Sequence, residues 1–226
     1  MTIQRAGVDC MNNTYLKLIA LVTMIIDHVG AIFFSFEPNF RIIGRIAFPI
    51  YCFLLVEGYF HTRDVKKYSI RLLLFALVSE LPFDYAFFGG MNNTHQNIFF
   101  TLFLGLLAVH AIEEYFMKKP VVSVAVLFLT IVLSEYFHTD YGMLGILYIL
   151  TFYGLRKVEG LPKVLLMVVF IGILNILLSG GLQYYSVLAV PFIAAYNGKP
   201  GPRNILLKYG FYTAYPLHLL ILYLLK

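Results

Sequence analysis

Nine apolar segments follow one another along this 226-residue chain, near residues 15–36, 42–60, 68–88, 96–116, 121–137, 141–155, 164–178, 182–196 and 204–225, separated only by brief connections marked by Gly, Pro and Asn. A spanning helix needs about 20 largely apolar residues, somewhat fewer where it is short or bent. The pattern predicts an all-α, polytopic integral membrane helical bundle of about nine transmembrane helices, the sixth and eighth of them short. No connection is long enough to join a second domain, so residues 1–226 read as one unit. With 60% hydrophobic and 13% charged residues, the chain falls outside the ordinary soluble class, in which about a quarter of residues are charged. Its first apolar run lacks a small-residue cleavage site and reads as an anchor that stays. Cys10 and Cys52 have no metal-ligand spacing and differ in depth, so neither a metal site nor a disulfide is expected.

Basic residues fix the expected orientation. Arg5, Lys17, Arg63, Lys66, Lys67, Arg71, Lys118, Lys119, Arg156, Lys157, Lys163, Lys199, Arg203 and Lys208, 14 of the 17 Lys and Arg, flank the start or fall in the even-numbered connections and adjoining helix ends. Arg41 and Lys226 fall on the other side, and Arg45 lies within a helix. The positive-inside rule then predicts a cell-membrane protein with a cytoplasmic amino terminus and an external carboxyl terminus. The net charge of +5 is a topological signal, and no nucleic-acid partner is expected.

Ionisable residues at membrane depth are costly, and each is a functional candidate by default. In the expected orientation Asp27, His28, Arg45, Glu80, Asp84, Asn97, His138, Asp140, Gln183 and His218 gather in the outer half, which suggests an outer-leaflet polar chamber. Glu57 and His61 lie near the cytoplasmic end of the second helix. Pro49, Pro82, Pro191 and Pro216 fall inside predicted spans, where each frees a carbonyl that a cavity tolerates. Asp27 and Arg45 read equally well as a buried structural ion pair and as catalytic groups.

Helical spacing limits the partnerships. Asp27 and His28 point about 100° apart, so a second helix must supply the partner that orients the His28 ring. Lys17, Leu21, Met24 and His28 step along one face, with Lys17 about 16 Å nearer the cytoplasm. A cation at the inner mouth and a base deeper in the same groove suit a long anionic donor. Lys17 taken alone reads as an interfacial snorkelling lysine.

The ordered motifs LKLIALVTMIIDHVG, GRIAFPIYCFLLVEGYFHT, SELPFD, QNIFFTL and KYGFYTAYPLHLLILYLL resemble those of the TraX family, named for a conjugative-plasmid protein associated with N-terminal acetylation of pilin. That family is similar to the wider membrane acyltransferases, which carry an arginine eleven residues before a histidine on the first helix and an FFxxSG-type run on the second. Lys17 and His28 keep the interval with lysine for arginine, and Glu57 in FLLVEGY replaces the serine. The resemblance implies transfer of an acyl group, with acetyl-CoA as donor substrate, to an amine or hydroxyl acceptor at the outer side: a protein amino terminus, a glycan or a lipid. His28, Asp27, Glu80 and His218 are the implied catalytic positions, with His28 the first choice of base and His218 the second. Lys17, Arg45, Glu57 and Asn97 are the implied donor-binding positions.

Two other classes fit the same residues. A proton-coupled transporter needs protonation sites such as Asp27, Glu80 or Asp84 and bent helices as gates. A non-catalytic assembly or lipid-binding protein needs basic inner loops and aromatic surface, and aromatic residues make up 17% of the chain. Thiol release from acetyl-CoA separates the enzyme from both.

Overall fold

The computed structural model describes residues 11–202 and 204–226, with the backbone alone at 205–208. Arg5, Cys10 and Arg203, and the side chain of Lys208, lie outside the described residues. The chain forms helices α1 (Asn13–Phe33), α2 (Pro38–Gly44), α3 (Ala47–His61), α4 (Val65–Phe88), α5 (Ile98–Tyr115), α6 (Pro120–Tyr136), α7 (Gly142–Gly154), α8 (Gly160–Leu178), α9 (Val190–Ala194) and α10 (Ile205–Leu225). Short 3₁₀ segments occupy Leu155–Lys157 and Gly181–Ala189. The protein is a helical membrane bundle.

Polar residues placed just outside the apolar runs define where helices begin. The Asn12 carboxamide accepts from the amides of Thr14 and Tyr15, Asp64 from that of Lys67, and Asn97 from that of Phe99. Each satisfies amides that a helix start leaves without intrahelical partners. At the other end of α4, Gly89 takes a left-handed conformation (φ 76°) and its N–H returns to the Tyr85 carbonyl.

Among the described residues, four stretches are long and apolar enough to span on length and composition alone: Asn13–Phe33, Pro38–His61, Ile98–Tyr115 and Gly160–Leu178. The 24-residue α4 is long enough but is interrupted by Arg71, Glu80 and Asp84. Two of the expected spans differ in form. The second breaks at Arg45 and Ile46, between α2 and α3, so Pro49 sits in the first turn of α3 and not mid-helix. An amide there has no partner to lose, and the same holds for Pro191 in α9; of the four prolines, Pro82 and Pro216 alone are interior.

The eighth expected span is the Gly181–Ala189 3₁₀ run followed by α9. A 3₁₀ helix rises about 2.0 Å per residue against 1.5 Å for an α-helix, so these 14 residues reach about 25 Å where an α-helix would reach about 21 Å. The winding extends a segment that is otherwise short for a layer of about 30 Å. So long a 3₁₀ run is uncommon, and a buried polar knot holds this one. Tyr148 donates to the Asn175 carboxamide and meets the Ser186 hydroxyl at 2.8 Å, while Asn175 Nδ2 donates to the same hydroxyl at 2.9 Å.

Packing places α3 at the centre. Phe48, Ile50, Cys52, Phe53, Leu54, Leu55 and Val56 are all buried, as expected of a helix surrounded by others. In α8, by contrast, Leu165, Val169, Phe170, Ile173, Ile176 and Leu177 are exposed, an apolar surface suited to lipid. Helices α1, α10, α4, α5 and α3 touch in that order, and α3 returns to α1, closing a ring. α7 packs on α3 and α5, with α6 and α8 against it.

Candidate functional site

The ring encloses a cavity of about 900 Å³. Its wall reaches from Asn13, Lys17, Glu57, His61 and Arg71, at the end of the bundle that carries the basic connections, to Arg41, Phe88, His95 and Asp140 at the opposite end. Lys17 and His28 both line it, so the shared face read from their spacing is a wall of this space.

At the end away from the basic connections, Asp27 on α1 is held by two arginines. Arg41 Nη1 lies 2.6 Å from Asp27 Oδ2, and Arg45 Nη2 lies 2.8 and 3.0 Å from the two carboxylate oxygens. Arg45 Nη1 also donates to Gln183 Oε1 at 3.1 Å, tying the 3₁₀ segment to the pair. The cluster depends on Gly44, because a methyl group built there would overlap the Asp27 carboxylate. Arg45 stands 5.9 Å from the centre of the Tyr141 ring, which stacks on Phe48 at 3.7 Å. Tyr141 has a φ of 65°, a left-handed conformation that costs a bulky residue on the order of 1 kcal/mol or more. The loop is fastened by the Thr101 hydroxyl, which donates to the Asp140 carbonyl, and by the Gln96 backbone paired with His138 and Asp140.

One turn of chemistry further, His28 Nδ1 lies 2.6 Å from His218 Nε2, with the rings stacked at 4.9 Å. The second-helix partner demanded by the Asp27–His28 spacing is therefore His218 on α10. His218 Nδ1 is 2.9 Å from the Ala214 carbonyl, which can only accept, so that nitrogen carries the hydrogen. Nε2 of a neutral His218 is then an acceptor, His28 Nδ1–H donates to it, and His28 Nε2 is left with its lone pair. His28 lines the cavity, whereas His218 is buried behind it. Phe87 and Tyr215 pack edge-on against the His28 ring at 5.3 and 6.0 Å.

Glu57 lines the cavity near its basic end, with its carbonyl 2.8 Å from His61 Nδ1 and its carboxylate 3.9 Å from the same atom. Glu80 and Asn97 are brought together, but off the cavity wall. Asn97 is fully buried, and its side chain donates to Glu80 Oε2 and, at 2.8 Å, to the Ala76 carbonyl while capping α5. Its hydrogen-bonding capacity is thus spent tying α4 to α5. Asp84 accepts from the Asn92 amide at 2.9 Å and is also away from the cavity.

Among the cavity residues that the sequence reading did not place at the site are Arg41, Arg71, His95 and Tyr141. Arg41 carried a usable signal, since it lies four residues before Arg45 and so shares its helical face. His95 and Tyr141 reach the site through loop folding, which no local spacing announces. His95 Nε2 stands 3.9 Å from Asp140, whose carboxylate holds the imidazole pKa above its ordinary value.

Ring and cavity together define a polytopic helical membrane protein with a polar, ion-paired site walled in between its helices. The chain belongs to the TraX family, whose profile, described as TraX protein, matches residues 12–226. It is 29% identical over 237 aligned residues, covering 92% of each chain, to the probable fimbrial assembly protein FimC, serogroup H1, of Dichelobacter nodosus. A shorter similarity, 28% over 90 residues, links 40% of this chain to 33% of the uncharacterized protein RP591 of Rickettsia prowazekii (strain Madrid E). No solved structure matches.

Proposed function

We propose that the protein is a membrane acyltransferase, taking acetyl from acetyl-CoA at the basic, cytoplasmic end of the cavity and passing it to an amine or hydroxyl acceptor at the outer end. The amino terminus is then cytoplasmic and the carboxyl terminus external. The observation that carries this reading is the hydrogen-bond chain from the Ala214 carbonyl through His218 to His28, which leaves an unprotonated nitrogen on a ring that lines a cavity whose wall runs from one end of the bundle toward the other. The name of the Dichelobacter relative supports an acceptor among the components of a surface fibre.

In the reaction, His28 Nε2 removes the proton of the acceptor as its nitrogen or oxygen attacks the thioester carbonyl. The carbonyl oxygen becomes an oxyanion, and Arg41 is the group suited to balance it. Asp27 neutralises only one of its two arginines, and the Arg41 side chain is the more exposed of the pair, at 30% against 14%. Collapse of the intermediate breaks the carbon–sulfur bond, and the leaving thiolate takes the proton from His28. His218 does not touch substrate; it fixes the His28 tautomer and shares the charge while the proton is held.

Purified protein mixed with acetyl-CoA and simple acceptors, such as glucosamine or a short peptide amine, is expected to release thiol. Neither binding of acetyl-CoA nor thiol release with any acceptor would leave a transporter or a non-catalytic assembly protein in its place.

A further inference from the structure

We infer that Arg71 and Lys17 form a phosphate subsite in the basic half of the cavity, which receives the anionic end of the donor. This rests on the acyl-CoA reading for the identity of the ligand, but the site itself follows from the charges on the wall.

Arg71 lies six residues into α4, about 9 Å along the helix axis, and lines the cavity. Among the described residues it forms no ion pair with a carboxylate. Its guanidinium is held between two rings, 5.1 Å from the centre of Tyr68 and 5.2 Å from that of Tyr212, and its Nε is buried without a hydrogen-bond partner. Arginine remains charged in any protein environment, so the structure stores a permanent cation and a buried, unused donor at membrane depth. Such a group is costly unless an anion meets it. The tyrosine rings hold the guanidinium in place and Tyr212 also hydrogen-bonds to it, which leaves Nε and the remaining N–H donors for the contacts that a phosphate accepts.

Lys17 stands on the same cavity wall, four residues into α1, which also starts from the basic end. Counted from the starts of their own helices, the two cations lie about 6 and 9 Å along the axis, on two different helices that line the same cavity. From Lys17 to His28 the wall runs about 16 Å, room for an extended flexible arm between an anionic head at the cations and an acyl carbonyl at the histidine. A phosphate at this place has two possible sources, the diphosphate of a soluble donor and the headgroup of an anionic lipid entering between helices.

The test uses the full-length protein in nanodiscs of phosphatidylcholine alone and of phosphatidylcholine with phosphatidylglycerol. Binding of CoA and of pantetheine, which lacks the phosphates, is measured by calorimetry for wild type, Arg71→Gln, Arg71→Lys and Lys17→Ala. Arg71→Gln is expected to weaken CoA binding by about tenfold to a hundredfold, the loss expected for a charge-assisted contact. Pantetheine binding should be unchanged and Arg71→Lys should recover part of the affinity, which guards against a simple folding defect. Equal CoA affinity in wild type and Arg71→Gln would overturn the subsite while leaving acyl transfer standing. If wild type binds no CoA but retains phosphatidylglycerol in an Arg71-dependent way, by mass spectrometry of copurified lipid, the donor assignment is overturned and the phosphate subsite is a lipid site. Loss of neither ligand in Arg71→Gln overturns both assignments of the cations.

Discussion

Asp27 is one carboxylate between two guanidiniums, and that inequality sets what its removal should do. Truncating one partner of a buried ion pair leaves an uncompensated charge, at a typical cost of about 3–5 kcal/mol. Asp27→Asn strands both Arg41 and Arg45, whereas Arg45→Gln leaves Arg41 on the carboxylate. Melting temperature should therefore fall further in Asp27→Asn than in Arg45→Gln, and the double variant should recover part of the Asp27→Asn loss. Strict additivity would mean that the groups are uncoupled. The Asp27–Arg45 pairing was legible because charges buried on neighbouring helices have few other partners. Arg41 was not read as a site residue despite its four-residue spacing from Arg45, because its stretch reads as a connection and the structure makes it the helix α2. Asn97 shows the converse: a polar residue at the right depth is satisfied by its neighbours as readily as by a ligand, and sequence cannot tell the two apart.

At the scale of the elements, the contact between α1 and α2 rests on a missing side chain. A methyl at Gly44 meets the Asp27 carboxylate, so Gly44→Ala should force the ion pair apart and lower the melting temperature by an amount comparable to Asp27→Asn. A melting curve identical to wild type would refute that close approach. The α4–α5 loop offers a pH-dependent reading. Asp140 raises the His95 pKa above its unfolded value, so the pair's contribution is complete below about pH 6.5, the ordinary histidine value, and disappears as pH rises through the folded pKa. The difference in melting temperature between wild type and His95→Gln should accordingly be larger at pH 5.5 than at pH 8.5; an equal difference would mean that the charge of His95 is not involved. Most of the helical segments were readable from their apolar runs. The 3₁₀ winding of Gly181–Ala189 was not, because it is imposed from outside by Tyr148 and Asn175.

Across the whole molecule, the ring of α1, α10, α4, α5 and α3 joins residues nearly two hundred positions apart, and His28 meets His218 only because the chain closes on itself. The sorting of basic residues predicts the direction of that ring across the membrane. Single cysteines introduced at Asn92, Gly180 and Lys226, in a background without Cys10 and Cys52, should react with an impermeant reagent from outside the cell. Those at Lys66, Lys118 and Lys199 should react only after permeabilisation, and a Lys118 position open from outside would reverse the orientation. The account stands most directly on His28 as the base. Steady-state thiol release from acetyl-CoA, measured per folded protein, should fall by about 10²–10⁴-fold in His28→Ala, and turnover undiminished in that variant would contradict it.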